Sequence, residues 1–169
     1  MIIKEIEKAL NAQIKLEGMA SLQYLAMSSW AEAKGYSGVA KFFYNQAEEE
    51  REHMVKLMVF VNERGGRAEV PAFEKPKDDF DSLNHLFQFF LEKEQVVTNH
   101  VNEIVFNCLQ VKDYTVHNFM QWYVAEQIEE ESLATDLLDK LKIIGDDKGG
   151  LYMFDRDIET FQAESTGGE

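Results

Sequence analysis

The chain has 169 residues, 45% of them hydrophobic, which is one domain's length with apolar content enough for a packed core and too much for disorder. Its 31 acidic residues outnumber 17 basic ones, and the formal net charge of −14 repels nucleic acid and anionic membranes while attracting cations. The single cysteine, Cys108, excludes an internal disulfide or a zinc-finger cysteine cluster, and the longest pure apolar run, Leu57 to Val61, is far too short to span a bilayer. The N-terminal stretch Ile2-Ile3-Lys4-Glu5-Ile6-Glu7 is too charged for a secretory signal, so a cytoplasmic protein is expected.

Helix breakers fall in clusters and leave long uninterrupted segments between them. The first helix is predicted over about 4–34 and ends at the Gly35–Gly38 gap. The second runs over about 39–64. From Gly65 to Asp81 there follow about 17 residues without periodicity, carrying both prolines, Pro71 and Pro76. Helices over about 82–109 and 114–144 flank a short break near Lys112-Asp113, and a short fifth helix over about 150–162 precedes a polar tail, 163–169. Short connections make their flanking helices antiparallel. The long one has a use: a 27-residue helix is about 40 Å long, and 17 extended residues reach about 55 Å. The expected architecture is all-α, a four-helix bundle over about 4–144 with one long crossover between helices 2 and 3.

Residues spaced alternately three and four apart face a bundle core. The first helix places Ile3, Ile6, Leu10, Gln13, Glu17, Ala20, Tyr24, Met27 and Ala31 on that stripe. The other stripes are equally apolar, and each carries a carboxylate near its middle: Glu50 with His53 one turn on, Glu94, and Glu130 with Gln127. An unpaired carboxylate out of water costs several kcal/mol even after relaxation, and four at one level repel each other. Protons or a multivalent cation must settle that charge. Carboxylate oxygens with one imidazole suit iron or manganese better than structural zinc. A dimetal site at mid-bundle is the expectation, and neutral Gln127 makes one position weaker than the other.

Glu17, Tyr24, the run Glu48-Glu49-Glu50-Arg51-Glu52-His53, Glu94, Trp122 and Glu126-Gln127-Ile128-Glu129-Glu130 together resemble the ferritins, and within them the bacterial non-haem group. The resemblance covers essentially the whole chain and makes 1–169 a single ferritin-like domain. It implies a shell of twenty-four copies that oxidises Fe(II) with O2 or H2O2 and stores ferric oxyhydroxide inside. It implies a dinuclear iron centre of Glu17, Glu50, His53, Glu94 and Gln127, with Glu50 bridging and Glu130 beside the second iron. Glu49, Glu126 and Glu129 match a third iron position shared with Glu130. Haem is not expected, because Arg51 stands where bacterioferritin carries its haem-binding Met. A rubrerythrin-like or other dimetal-carboxylate oxidase or peroxidase is the rival reading, though one cysteine cannot build rubrerythrin's four-cysteine iron domain.

Tyr24 shares Glu17's stripe and Trp122 lies one turn before Glu126, so both stand where they could give an electron to a partly reduced oxygen species, as the resemblance implies. The alternative for each is ordinary aromatic packing. His85, His100 and His117 lack carboxylates at ligand spacing on a shared core stripe, and Cys108 reads as core. The spacing leaves open whether Gly18 allows close helix approach or leaves room for a ligand. On the fifth helix, Leu151, Phe154, Ile158 and Phe161 share one face. The four-helix bundle closes without it, so this face needs another surface: either the end of its own bundle or, as the ferritin resemblance implies, other copies at a shell symmetry axis.

Overall fold

The computed structural model describes residues 2–165. It contains α1 (Lys4–Ala33), α2 (Ser37–Glu63), α3 (Leu83–Val111), α4 (Tyr114–Ile144) and α5 (Lys148–Ser165), with no strand among the described residues. Part of the expected polar tail is thus helix, as far as Ser165, and 166–169 lie outside the described residues.

Side-chain caps set several ends. Ser82 Oγ accepts from the His85 N–H at 3.1 Å and starts α3, and Asp113 Oδ1 accepts from the Val116 N–H at 3.1 Å and starts α4. Between them Lys112 adopts φ 58°, a left-handed residue that turns the chain within two positions. The fifth helix begins two residues earlier than its glycines suggest. Asp147 Oδ2 accepts from the Gly150 N–H at 2.6 Å, which draws the glycine pair into the first turn.

The helix directions follow from contacts along their lengths. α1 and α2 form a hairpin. α4 returns against α2, pairing Phe119 with Phe60 in a stack of 3.7 Å and Tyr123 with the His53 backbone. α2 and α3 therefore run the same way, joined by the crossover, which tracks α1. Asn11 bonds the Arg67 carbonyl and the Glu69 N–H, Gln23 bonds both backbone groups of Lys77, and Trp30 packs on Phe80. The role of Gly18 is settled here: a Cβ on it would lie 2.5 Å from the ring of Phe73, a crossover residue. The glycine makes room for the crossover ring and for the Met54 side chain of α2, whose sulfur would lie 2.9 Å from such a Cβ.

The core is in two parts. One apolar cluster fills the end built on Met27, Phe42, Phe43, Phe87 and Phe90. The other fills the opposite end around Ile6, Leu10, Leu57, Val101 and Met120. Buried Gln13, Glu17, Glu50, His53, Glu94, Gln127 and Glu130 lie between them.

The structure packs α5 across the end of its own bundle. Phe154 and Ile158 are buried in the chain's own end cluster, with Leu151 and Phe161 packed against it. Two features of α2 dock the helix: Asp155 Oδ1 accepts from the Val39 N–H at 2.9 Å, and Gly38 lets the Asp155 backbone carbonyl approach where a Cβ would collide with it. Burial of Phe154 and Ile158 is worth roughly 1.5–3 kcal/mol each.

Candidate metal centre

Helical spacing brings each polar residue of the middle layer to the bundle axis. Glu50 and His53 lie one turn apart on α2, and Glu17 faces them from α1. One ligand atom from each of Glu17, Glu50 and His53 falls within a mutual 4.8 Å, and all three residues are buried. His53 Nδ1 lies 3.7 Å from Glu50 Oε2. That oxygen has no hydrogen-bond partner, nor does Glu130 Oε2 or Gln46 Oε1; these are three of the five unpartnered buried side-chain atoms among the described residues. A buried oxygen without a donor is costly, and the two carboxylate oxygens of Glu50 and Glu130 match what a cation would satisfy.

Glu94 is differently held. Its carboxylate accepts from the Tyr24 hydroxyl and, at 3.1 Å, from Gln127 Nε2. The same Gln127 amide nitrogen reaches the Glu94 carbonyl and Thr98 Oγ1. The trio Glu17, Glu50 and His53 thus stands as one group that could hold a cation, and Tyr24, Glu94 and Gln127 form a hydrogen-bonded cluster beside it.

Charge couples the layer. Burial raises Glu50 well above the usual carboxylate range, and Glu17 and Glu94 add to the shift. Glu130 is raised by burial and then by Glu94 and Glu49. Glu94 is pushed up to about 7 by burial, against the hydrogen bonds from Tyr24 and Gln127. Burial and the acids around it also lift the Tyr24 hydroxyl. Burial and mutual repulsion therefore favour the protonated forms of Glu50, Glu94 and Glu130 over their ordinary balance.

A second gathering lies nearby on α2 and α4: Glu49, His53 and Glu126 offer ligand atoms within a mutual 4.8 Å. His53 belongs to both groups. Glu129 is exposed and stands outside this trio, although its charge helps raise Glu49 and Glu126, each lifted first by burial. Trp122 meets the His53 ring edge-on at 5.0 Å and carries Lys56 Nζ 2.9 Å from its own ring centre. Cys108 is buried, its thiol pushed up to about 11, and takes no part.

Spacing did not reveal one connection. Gln13 Nε2 donates to Glu17 Oε1 at 2.7 Å, and Gln13 Oε1 lies 2.5 Å from His100 Nδ1. Gln13 was visible as a polar residue on a core stripe, one turn before Glu17. His100 was not, because it lies off α3's stripe and reaches Gln13 only through the packing of α1 on α3.

A family described as the ferritin-like domain matches residues 7–144. The chain belongs to the ferritin family. It is 41% identical over 158 residues to a probable bacterial non-heme ferritin-like protein of Haemophilus influenzae, covering 94% of this chain and 96% of that one. It is 40% identical over 159 residues to a bacterial non-heme ferritin of Campylobacter jejuni, covering 94% and 95%. Among solved structures, a novel open pore ferritin from the archaeon Archaeoglobus fulgidus superposes with a TM-score of 0.92 at 39% identity, covering 94% of this ferritin and 98% of that chain. No described helix is long and apolar enough to cross a membrane.

Proposed function

We propose that this protein oxidises Fe(II) at a dinuclear centre inside each subunit and stores the ferric product as oxyhydroxide within a shell of identical copies. Its relatives are bacterial non-heme ferritins, and the acids of the middle layer are of the kind that iron favours. The observation that carries the reading is the buried trio Glu17, Glu50 and His53, within a mutual 4.8 Å beside unpartnered carboxylate oxygens.

In this reading Glu17, His53 and Glu50 hold the first iron. Glu50 bridges to the second, which Glu94, Gln127 and Glu130 complete. Glu49 and Glu126, with Glu130 and the more exposed Glu129, hold a third iron. Two Fe(II) ions each give up one electron, and O2 takes both with two protons to leave as H2O2; H2O2 itself is the other oxidant. Anionic ligands favour the ferric product. In the same reading Tyr24 serves as an additional electron donor and Trp122 as a second, which the hydrogen bond of Tyr24 to Glu94 and the contact of Trp122 with His53 support. Haem has no part, the whole chain acts as one domain, and the protein works in the cytoplasm.

The test is anaerobic Fe(II) loading of the full-length protein followed by O2, with ferric absorbance recorded. Rapid oxidation above the buffer rate is expected, and Glu50→Ala should lower its initial rate by at least about tenfold, the range typical for loss of groups supporting a metal site. Oxidation at the buffer rate by the parent protein would sink the proposal.

A further inference from the structure

Glu17 is the acid of the middle layer whose support reaches across to another helix through an intermediary. Its Oε1 accepts from Gln13 Nε2 at 2.7 Å, a buried contact one turn back along α1. The other end of that amide, Gln13 Oε1, lies 2.5 Å from His100 Nδ1 on α3. Gln13 is wholly buried and His100 is half-buried.

Donor and acceptor chemistry fixes the direction of this chain. A carboxylate that ligates a cation has no hydrogen to give, so Gln13 must turn its NH2 toward Glu17. Its carbonyl oxygen is then left facing the imidazole, and Nδ1 must carry a hydrogen. Burial holds His100 below its ordinary pKa against the pull of Glu17 and Glu103, which favours a neutral ring, and the facing amide oxygen then selects the tautomer with its hydrogen on Nδ1. An amide's two ends are nearly the same size, so packing alone does not choose between its orientations. The reversed amide would set oxygen against oxygen at Glu17. The carboxylate thus sets the sense of the amide, and His100 Nδ1–H meets the acceptor left at its other end and holds the side chain in place.

We propose that His100 is a positioning residue which, through Gln13, fixes Glu17 as a single-oxygen ligand of the first metal position. With Oε1 engaged by Gln13, the other carboxylate oxygen is the one presented to the cation. The inference rests on the assignment of Glu17 to that position. Support of this kind for a ligand typically changes metal affinity by 10- to 100-fold.

The test uses anaerobic Co(II) binding to the full-length assembled protein, followed by visible absorption and calorimetry. His100→Leu removes the donor and should weaken one class of Co(II) site by about 10- to 100-fold. His100→Asn sets an N–H where Nδ1–H stood and should recover most of the affinity. His100→Gln sets its N–H near the Nε2 position and should resemble His100→Leu, which keeps the comparison intact if the leucine variant folds poorly. In a Gln13→Leu background, His100→Leu should cost nothing further. Unchanged binding by His100→Leu and His100→Gln would overturn the relay, as would equal losses in the Asn and Gln variants. If the parent protein binds no Co(II), the metal centre itself falls, and the relay with it.

Discussion

Each buried acid of the middle layer has a different environment. Glu17 receives a neutral amide donor, Glu94 receives a phenol and an amide, and Glu50 and Glu130 each keep an oxygen without any donor. These differences set a pH dependence. A carboxyl raised by burial favours the folded state while protonated, so its contribution is complete below its unfolded value and is lost as pH rises through its folded value. For Glu94 that window runs from about 4.5 to about 7. Metal-free protein is therefore expected to lose stability across this interval. Glu94→Gln should remove part of the loss, with an upper bound of about 3 kcal/mol. A rise of about 3–8 °C in the unfolding midpoint at pH 8, with little change at pH 4.5, is the expected result. Equal midpoints at pH 8 would contradict it. In the same way, cation binding must displace protons, so affinity should weaken toward acid.

At the scale of elements, the breakers gave most boundaries, and local capping corrected the rest. The fourth helix ran over 114–144 as expected, because Asp113 and Gly145 both mark its ends in sequence. The fifth helix was extended at its start by Asp147, whose carboxylate reaches the Gly150 N–H; a glycine pair is a weaker instruction than a satisfied cap. Gly38 read as a break, yet it lies in the first turn of α2 with the α5 backbone seated against it. A side chain there must displace one helix or the other. Gly38→Ala is expected to lower stability by about 1–3 kcal/mol, the usual cost of overpacking. Denaturant midpoints would measure that loss, and increased protease cleavage within α5 would locate it. A variant with α5 still protected and stability unchanged would show that the contact is not tight.

For the whole molecule, assembly and charge belong together. Phe154 and Ile158 of α5 are buried in their own chain, so they leave any contact between copies to the residues around them. Family membership and outward residues such as Tyr152, Met153 and Ile143, all exposed in the single chain, remain as the grounds. Twenty-four copies of 19.5 kDa make about 470 kDa. Sedimentation of the purified protein is expected to give a particle near that mass, and a species of 19.5 kDa at micromolar concentration would reject the container while leaving the metal centre untouched.

The amino-acid order alone determined the helices, the crossover and the depth at which Glu17, Glu50, Glu94 and Glu130 sit, because hydrophobic spacing at 3.6 residues per turn is a local property. It could not decide relations across helices whose residues are far apart in the chain. Gln13 meets His100 across 87 positions, Val39 meets Asp155 across 116, and Phe73 presses on Gly18 from the crossover. Those contacts depend on the rotation and tilt of packed helices, which every core residue influences at once. Tertiary packing therefore decided which polar group supports which acid, and whether α5 faces inward or outward.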